Sequence, residues 1–461
     1  MTENNRSRRD FLKLGVAGGV ASALAPVSGD GFRYVLPDET RPPDTLVAPP
    51  LERVRVGFVG VGGMGTVHLN NLLRIEGVEL RAVCDIVEEK VQRAQDAVEK
   101  AGLARPKGYS HGPRDFERLC HEEDLDLVYT ATPWEWHVPV CMAAMTSGKH
   151  AATEIPAAYT IDDCWRLVET SERTRRYCIM MENCCYDRRE MLILNLVRRG
   201  MLGELLHAEC GYLHDLRSIK FSTDGEGLWR RAHAMRRNGN LYPTHGLGPV
   251  AQCLDINRGD RFEYLVSMSS NARGLRLYAA EHFPDDDPRR REQFVLGDVN
   301  VSLLRTAKGK TVYLAHNCDD PRPYSRINMV QGTRGIVSGY PDRIHVEGRS
   351  PKDQWEPLES YREEFEHPLW RAELIRTATG GHGGMDVLED TRLIAALRAG
   401  VPPDVDVYDA VTWSVVCALT ERSVAERSRP VDFPDFTRGR WRTTPPFDIP
   451  TPHDLPRAGS V

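Results

Sequence analysis

A tyrosine and a histidine stand three residues apart in a short segment rich in glycine and proline. The segment reads RNGNLYPTHGLGPV, residues 237–250, and it contains Tyr242, Thr244 and His245. Proline and glycine fix an irregular backbone there, and the apolar residues that follow predict a buried helix. Tyrosine and histidine transfer protons when their surroundings shift their pKa values toward neutrality. We therefore interpret Tyr242 and His245 as acid–base residues rather than as packing residues.

Three further side chains are expected to act beside this pair. A tyrosine needs a lowered pKa to act as a base, and a nearby cation such as Arg230 would lower it. Tyr212 and His214 lie two positions apart in a segment that alternates like a β-strand, so both side chains face the same side. We assign catalytic roles to Tyr242, His245, Tyr212 and His214, and leave open which is the acid and which is the base.

A glycine-rich turn with the sequence GVGGMG, residues 60–65, follows a short apolar run and opens a helical pattern. Glycine permits the tight turn, lets the backbone approach a pyrophosphate and packs the helix against the strand. Asp85 ends the next apolar run. A carboxylate at that place binds the ribose 2′-hydroxyl and repels a 2′-phosphate. The pattern predicts a dinucleotide site that prefers NAD over NADP.

More polar and aromatic residues come at the ends of the later apolar runs. WEWH, residues 134–137, follows the run that ends in ATP; Glu154 ends the next run and Asn183 follows the one after. The carboxyl ends of parallel strands form one edge, where such sheets bind ligands. The two tryptophans either plug this edge by hydrophobic packing or offer flat faces beside a nicotinamide or a sugar, and we favour the second interpretation.

The hydrophobic pattern predicts the sheet that these positions need. Apolar runs alternate with amphipathic helices, which predicts an α/β fold with a doubly wound, parallel Rossmann domain over residues 51–184. Later segments alternate apolar and polar residues, which predicts an α+β domain with an open, mostly antiparallel sheet over residues 185–437. Residues 438–461 are rich in arginine and proline, and we expect them to form a surface tail.

The N-terminal residues predict an export signal. SRRDFLK, residues 7–13, is followed by a modestly apolar run and by the small-x-small cleavage site ALA at residues 23–25. This is typical of a twin-arginine signal peptide over residues 1–25, followed by a linker over residues 26–50. We therefore expect the twin-arginine machinery to export the chain, already folded, to the periplasm or the medium.

Composition excludes several classes of protein. The 461 residues include 60 Lys and Arg against 66 Asp and Glu, a formal net charge of −6 without a basic stripe, which argues against nucleic-acid binding. No apolar stretch is long enough to span a bilayer. The eleven cysteines have no disulfide-framework spacing, and folding in the reducing cytoplasm before export explains them. No CxxC or HExxH pattern is present, so we predict no metal site.

Several of these motifs resemble the Gfo/Idh/MocA oxidoreductases. The resemblance rests on GVGGMG at residues 60–65, ATP at 131–133, the run from GKH to E-x-P at 148–156, and GGHGGMD at 380–386. It implies an NAD-binding domain followed by a domain whose open sheet often mediates dimers, so we expect a homodimer. Most members have a lysine in an E-K-P motif that handles the proton of the alcohol being oxidised, whereas Ile155 stands at that position here.

One branch shares this departure, namely glycoside hydrolase family 109, the NAD-dependent α-N-acetylgalactosaminidases. WEWH, E-I-P, ENCCY at residues 182–186, GYLHDLR at 211–217 and GNLYPTHGLGPVAQ at 239–252 all look like that branch. The resemblance implies that bound NAD takes hydride from C3 of the sugar, that a base removes the proton from C2, and that the aglycone leaves from C1. Water then adds and the hydride returns, so NAD stays tightly bound and is regenerated in each turnover.

The resemblance also places the site residues. The implied cofactor contacts are Gly60, Gly62, Met64, Gly65, Asp85, Trp134, Glu135, Trp136, His137, Glu154, Ile155 and Asn183. The implied substrate contacts are Tyr212, Arg230, Tyr242, Pro243, Thr244, His245 and Tyr324. The role of His382 stays open. The sequence predicts a glycosidase acting on a small-molecule or glycan substrate; the alternatives are an NAD(P)-dependent sugar dehydrogenase and a non-catalytic module that binds sugar or senses NAD.

Overall fold

The computed structural model describes residues 46–372, 375, 382–447 and 450. The predicted signal peptide and most of the predicted linker lie outside the described residues, as do most of the residues after 447. Within the described part of the chain, two sheets and their covering helices share a hydrophobic interior.

The first sheet has six strands in the described residues, all parallel, in the order β3-β2-β1-β4-β5-β6. Its order reverses beside β1, which creates the crevice where doubly wound sheets bind ligands. The short strand β3 was missed from the sequence because it contains a single buried residue. The strands are β1 (Val54–Val59), β2 (Val78–Cys84), β3 (Lys107–Tyr109), β4 (Leu127–Thr130), β5 (His150–Thr153) and β6 (Cys178–Met180).

Helices cover both faces of this sheet, and each carries an apolar stripe toward it. In α2, for example, Val91, Ala94 and Val98 recur at helical spacing and are all buried, whereas the intervening residues are largely polar. These helices are α1 (Gly63–Leu72), α2 (Glu88–Lys100), α3 (Asp115–Glu122), α4 (Trp134–Thr146) and α5 (Ile161–Thr174). The next helix, α6 (Arg188–Arg198), contacts the second sheet.

The second sheet has nine strands in the described residues, ordered β14-β13-β12-β11-β7-β10-β9-β8-β15. Its neighbouring strands are antiparallel except β7 and β10, which run parallel. Together with the first sheet, this confirms the predicted fold class. The strands are β7 (Leu205–Leu213), β8 (Phe262–Ser269), β9 (Val299–Thr306), β10 (Thr311–Asn317), β11 (Met329–Gly332), β12 (Gly335–Gly339), β13 (Asp342–Val346), β14 (Glu356–Pro357) and β15 (Val431–Asp432).

The remaining helices of the described residues cover one face of the second sheet or return to the first. Late in the chain, two consecutive helices meet at Val415. The helices are α7 (Arg217–Lys220), α8 (Gly227–Ala234), α9 (Thr244–Cys253), α10 (Gly274–His282), α11 (Arg362–Phe365), α12 (Met385–Ala399), α13 (Val407–Ser414) and α14 (Val416–Ala425).

Helix α12 packs on the first domain, although the predicted domain division assigned residues 185–437 to the second domain. Leu393, Ile394 and Leu397 of this helix share a core cluster with Val56 of β1 and Leu69 of α1. The late part of the chain therefore returns to complete the Rossmann domain. Sequence periodicity alone does not show this, because it reports which face of a helix is buried and not what buries it.

The predicted surface tail also needs a correction. Trp441 lies within residues 438–461, yet it is only 7% exposed and belongs to the buried apolar set. Its indole nitrogen donates a hydrogen bond to Asp435 at 3.2 Å. The tail is thus packed at its start, because burying the large apolar surface of a tryptophan is favourable even in a polar segment. None of the helices in the described residues has both the length and the apolar content needed to cross a membrane.

Candidate active site

The turn between β1 and α1 leaves an open backbone cradle. Gly60 has φ +84°, and a Cβ atom on Gly65 would lie 1.9 Å from the Gly60 carbonyl oxygen, so neither position accepts a side chain without rearrangement. A Cβ atom on Gly63, by contrast, would meet nothing within 4 Å. The free space lies where α1 begins and where its unpaired N–H groups point, which suits a pyrophosphate.

Asp85 ties this cradle to the end of β2. Its carboxylate accepts hydrogen bonds from the N–H groups of Val61 at 3.1 Å and Val87 at 3.0 Å. An acidic side chain is therefore held beside the turn, as recognition of a ribose requires. The glycine cradle and this carboxylate fit NAD.

The WEWH segment forms the first turn of α4, immediately after the loop that follows β4. Its side chains point in different directions. Trp134 is buried against Trp229, with ring centroids 4.8 Å apart, whereas Trp136 packs edge-on against Phe116 at 6.0 Å and Glu135 is exposed. A helix separates neighbouring side chains by about 100°. The two tryptophans therefore do not lie together at the end of a strand, as the sequence suggested, but on different sides of a helix.

His137 occupies a structural position. Its two ring nitrogens lie 2.8 Å from the carbonyl oxygens of Thr132 and Pro156, so the ring joins the loops that follow β4 and β5. Burial lowers the pKa of this imidazole. The ring is engaged by the protein itself, and a contact between His137 and the cofactor stays a prediction.

The residues that follow β5 and β6 have polar partners inside the protein. Glu154 Oε1 lies 2.8 Å from Nε2 of His68, and the side chain of Ile155 is buried. Asn183 donates to Asp386 at 2.7 Å. His382 Nδ1 also lies 2.8 Å from Asp386, and this hydrogen bond raises the pKa of the His382 imidazole.

Three predicted catalytic rings meet although they come from separate parts of the chain. The centroids of Tyr212 and Tyr242 are 4.7 Å apart, those of Tyr242 and His245 5.0 Å, and those of Tyr212 and His245 5.3 Å. Tyr324 joins them at 6.1 Å from Tyr212 and 5.0 Å from His214. The strand β7 supplies Tyr212, and the start of α9 supplies His245. We call these five residues the ring cluster.

The start of α9 aims His245 into the ring cluster. Pro243 precedes the first turn, Thr244 is buried in it, and the side chain of His245 keeps partial exposure. Pro249 lies inside the helix and has no N–H to donate to the carbonyl of His245. The glycine and proline residues that marked this segment therefore shape the first turn of the helix.

His245 has a partner to which the sequence analysis assigned no role. Glu182, which follows β6, lies fully buried with Oε1 2.7 Å from Nδ1 of His245. Burial opposes ionisation, but His245 and the N–H of Cys184 hold the pKa of the Glu182 carboxyl below its ordinary value. An ionised carboxylate only accepts, so Nδ1 donates and Nε2 is left as an acceptor. The position of Glu182 in the ENCCY motif was the signal for it.

Arg230 acts on Tyr242 in the expected direction, but the pKa of Tyr242 is raised rather than lowered. The guanidinium does lie 4.7 Å from the centre of the Tyr242 ring and does favour the phenolate. Burial of the phenol has the larger effect, and it raises the pKa of Tyr242 well above its ordinary value. Tyr242 is therefore a neutral hydrogen-bond donor rather than a ready base.

Tyr212 and His214 contact each other directly, with the phenol oxygen 3.0 Å from Nδ1 of His214. Burial raises the pKa of Tyr212, whereas burial and the nearby Arg230 lower the pKa of His214. Both side chains are therefore uncharged at neutral pH, and the phenol donates to Nδ1 in the tautomer that carries the imidazole proton on Nε2. This pair provides a short path for a proton.

Arg230 stands among aromatic rings that the sequence reasoning had not connected. Its guanidinium lies 5.1 Å from the ring centre of Trp134 and 4.9 Å from that of Trp229, and its Nε donates to Glu226 at 2.6 Å. His233 lies 4.9 Å from Trp134, and burial lowers the pKa of His233 to about 3. This wall of the site therefore carries the Arg230 guanidinium, which is paired with the Glu226 carboxylate.

Tyr324 is held in place from behind. Arg326 donates to the Tyr324 hydroxyl at 2.8 Å and pairs at 2.8 Å with both Asp187 and Glu190. Since the phenol oxygen accepts from Arg326, its own proton is free to point toward a ligand. Four of the predicted substrate contacts, namely Tyr212, Tyr242, His245 and Tyr324, thus belong to the ring cluster.

Within the described residues, one group of side chains has the spacing of metal ligands. Atoms of Glu182, Cys184 and His245 lie within 4.8 Å of one another. Burial raises the pKa of the Cys184 thiol well above its ordinary value, and a protonated thiol is a poor metal ligand. The hydrogen bond between Glu182 and His245 already uses one candidate atom of each.

The two parts of the chain match two family models. Residues 54–182 match the model described as Oxidoreductase family, NAD-binding Rossmann fold, and residues 186–443 match Glycosyl hydrolase 109, C-terminal domain. A protein of Solibacter usitatus named Glycosyl hydrolase family 109 protein is 49% identical and covers 95% of this chain and 99% of its own. One of the same name from Saccharopolyspora erythraea is 46% identical, covering 97% and 98%.

Solved structures share the fold at low identity. An inositol dehydrogenase homolog from Azotobacter vinelandii, complexed with NAD+, superposes with a TM-score of 0.62 at 18% identity and covers 85% of this chain and 100% of its own. An oxidoreductase domain protein from Kribbella flavida gives a TM-score of 0.63 at 17% identity, covering 84% and 100%. Likeness at this level shows the fold alone. The two family models and the relative from Solibacter usitatus, by contrast, confirm the family resemblance noted from the motifs.

Proposed function

The chain belongs to glycosyl hydrolase family 109, and from this premise we propose that it is an NAD-dependent α-N-acetylgalactosaminidase. In the proposed reaction the sugar is oxidised, the aglycone is eliminated, water adds to the product and the sugar is reduced again, so there is no net redox change. When bound, NAD supplies the acceptor and donor of hydride that this sequence needs. The cofactor is proposed to be tightly held and regenerated in each turnover.

His245 is the proposed base for the hydroxyl group of the carbon that is oxidised. Glu182 accepts from Nδ1 of His245 and fixes the ring, so Nε2 is left to take the hydroxyl proton and later to return it. The carboxylate also stabilises the imidazolium that forms. The hydrogen bond from His245 of the ring cluster to Glu182 is the observation that carries the proposal.

The neutral tyrosines are assigned the remaining proton transfers. Tyr212 donates to His214, so the phenol is able to pass its proton to that imidazole while it takes up the proton from C2. Tyr242 is neutral and close to Arg230, which suits it to donate to the departing glycosidic oxygen and to receive the proton back when water adds. Tyr324 is proposed to bind a sugar hydroxyl.

The first experiment uses a panel of aryl α- and β-glycosides, including the N-acetylgalactosaminide, with purified protein and no added cofactor. We expect release of the aglycone from the α-N-acetylgalactosaminide and, in D2O, deuterium at C2 of the released sugar. Turnover that retains the C2 proton would refute the proposed mechanism. Net accumulation of NADH without aglycone would instead favour a sugar dehydrogenase.

The state of the cofactor has a separate test. Denaturing the purified protein and analysing the released nucleotide should give NAD or NADH in nearly stoichiometric amount. Mostly NADP, or a protein without affinity for NAD, would contradict the assigned roles of Gly65 and Asp85.

We propose a homodimer formed through the open face of the second sheet. Met268 of β8 and Leu303 of β9 are 61% and 55% exposed and lie on the same face, since Met268 pairs with Val301 and Leu303 pairs with Val266. Exposed apolar side chains on a sheet face are typical of an interface. Light scattering of the purified protein should give twice the chain mass, and Leu303→Lys should lower it to one.

Export by the twin-arginine route is proposed from residues 1–25 alone. Fusing this segment to a reporter that is active only after folded export, with Arg8→Lys and Arg9→Lys as the control, should give signal that the control lacks. Equal signal from both fusions would contradict the proposal.

A further inference from the structure

A buried chain of three ionisable side chains links the Rossmann helices to the active site. His68 on α1 lies between two carboxylates, with Nδ1 2.9 Å from Asp390 of α12 and Nε2 2.8 Å from Glu154 after β5. His68 and Asp390 are buried, whereas Glu154 is 18% exposed. The chain therefore begins in the core and ends on a partly exposed carboxylate, whose charge acts on the phenol of Tyr242.

Glu154 has one short hydrogen bond that sets its orientation. Its Oε1 accepts from His68 at 2.8 Å, whereas among the described residues Oε2 accepts only from the adjacent N–H of Ile155, at 3.3 Å. Burial and, less strongly, the charge of Glu154 act on the phenol of Tyr242, whose pKa both raise. The orientation of this carboxylate therefore affects the pKa of Tyr242 in the ring cluster.

The charges around His68 favour its protonated form. Burial opposes it, but Asp390 and Glu154 raise the pKa of His68 well above its ordinary value. Glu389, next to Asp390, is buried, and burial raises its pKa well above its ordinary value, whereas Asp386 pairs with His382. An imidazolium donates from both nitrogens, which matches a ring held between two acceptors.

Holding α1 against α12 does not require His68. Asn71, one turn later on α1, donates to Asp390 at 2.9 Å, and Tyr129 lies 3.4 Å from the same carboxylate. The apolar contacts of Leu69 and Leu393 pack the same two helices. What His68 alone provides among the described residues is the bridge from Asp390 to Glu154.

We propose that His68 is a positioning residue that holds the Glu154 carboxylate in its orientation toward the active site, with Asp390 fixing the imidazole from behind. The proposal deepens the function proposed above and rests on it. It assigns a role in the reaction to a residue of α1 that lies outside the glycine turn and outside the ring cluster.

Two variants separate this role from simple packing, because each keeps one half of the bridge. The amide of His68→Gln reaches about where Nε2 stands and still donates to Glu154, whereas the amide of His68→Asn reaches about where Nδ1 stands and donates only to Asp390. Asn71→Ala is the matched control, since it removes a bond to Asp390 without touching Glu154. We expect the control to melt earlier and to keep its kcat.

The expected result is a lower kcat in His68→Asn by about 10- to 100-fold, with His68→Gln retaining about ten times more activity, because a displaced group lowers the rate steeply. The melting temperatures should not follow this order. Crystal structures give a readout that needs no activity: the Glu154 carboxylate should have turned in His68→Asn and kept its place in His68→Gln.

Some outcomes overturn the proposal. An unmoved Glu154 in His68→Asn would refute it, as would equal losses of kcat in both variants that follow their melting temperatures. If the wild-type protein cleaves no glycoside, the proposed function fails, while the position of Glu154 in the two crystal structures still decides the role of His68.

Discussion

Replacing Glu182 with glutamine tests the central pair of the active site with the smallest change of shape. The glutamate is fully buried, with Oε1 2.7 Å from Nδ1 of His245 and 3.1 Å from the N–H of Cys184. Glutamine fills the same volume but brings an NH2 group. That group is able to donate to Nδ1, which places the ring proton on Nε2 and blocks the nitrogen that should act as base.

The expected losses of kcat and of stability in Glu182→Gln follow from the two functions of the carboxylate. Loss of the correct tautomer and of the charge that stabilises the imidazolium lowers kcat by about 10²- to 10⁴-fold in comparable pairs. A hydrogen bond to a charged group contributes about 1.5–3 kcal/mol and a neutral one about 0.5–1.5 kcal/mol, so stability should fall by only about 1–2 kcal/mol. We expect the melting temperature to drop by less than about 5 °C.

The assay measures kcat on the best aryl glycoside, together with the melting temperature and the bound nucleotide. Glu389→Gln is the matched control: Glu389 is also buried, but burial raises its pKa well above its ordinary value, and Glu389 is not part of the ring cluster. We expect the control to keep its kcat. A Glu182→Gln protein that turns over normally would refute the role of the pair, and the base would then be sought at Tyr212 and His214.

Three further predictions concern the cradle, a tyrosine and a buried acid. Gly65→Ala should abolish NAD binding in a titration, because its Cβ would lie 1.9 Å from the carbonyl oxygen of Gly60; unchanged affinity would contradict this. Tyr242→Phe should lower kcat by about 10²-fold with bound NAD unchanged, as expected for a positioned acid–base group; normal turnover in a protein that melts early would make the residue packing. Burial raises the pKa of Glu190 to about 8 from an ordinary 4.5, so above pH 4.5 the unfolded chain loses a proton that the folded protein keeps. Stability should therefore fall by about 1.4 kcal/mol per pH unit up to about pH 8. In urea unfolding Glu190→Gln should lose this slope, and an equal slope in both proteins would refute the assignment.

The sequence determined the parts of the protein that local physics governs. Glycine spacing, a carboxylate after the second strand and alternating apolar runs identified the Rossmann domain, because turn geometry and helix and strand periods are properties of neighbouring residues. Tyr242 and His245 were found for the same reason, since the glycine and proline around them mark the start of α9. The long motifs were specific enough to identify the family.

Only the tertiary structure decided how these residues act. Glu182 lies 63 positions before His245, and no period connects them until β6 and α9 meet. The neutral state of Tyr242 was misjudged because Arg230 is visible as a charge in the sequence, whereas burial is not. His68, Glu154 and Asp390 are separated by up to 322 positions along the chain, and they become one buried group only when α12 returns to the first domain. Charge and spacing are written in the sequence, but desolvation and long-range contacts are set by how the chain packs.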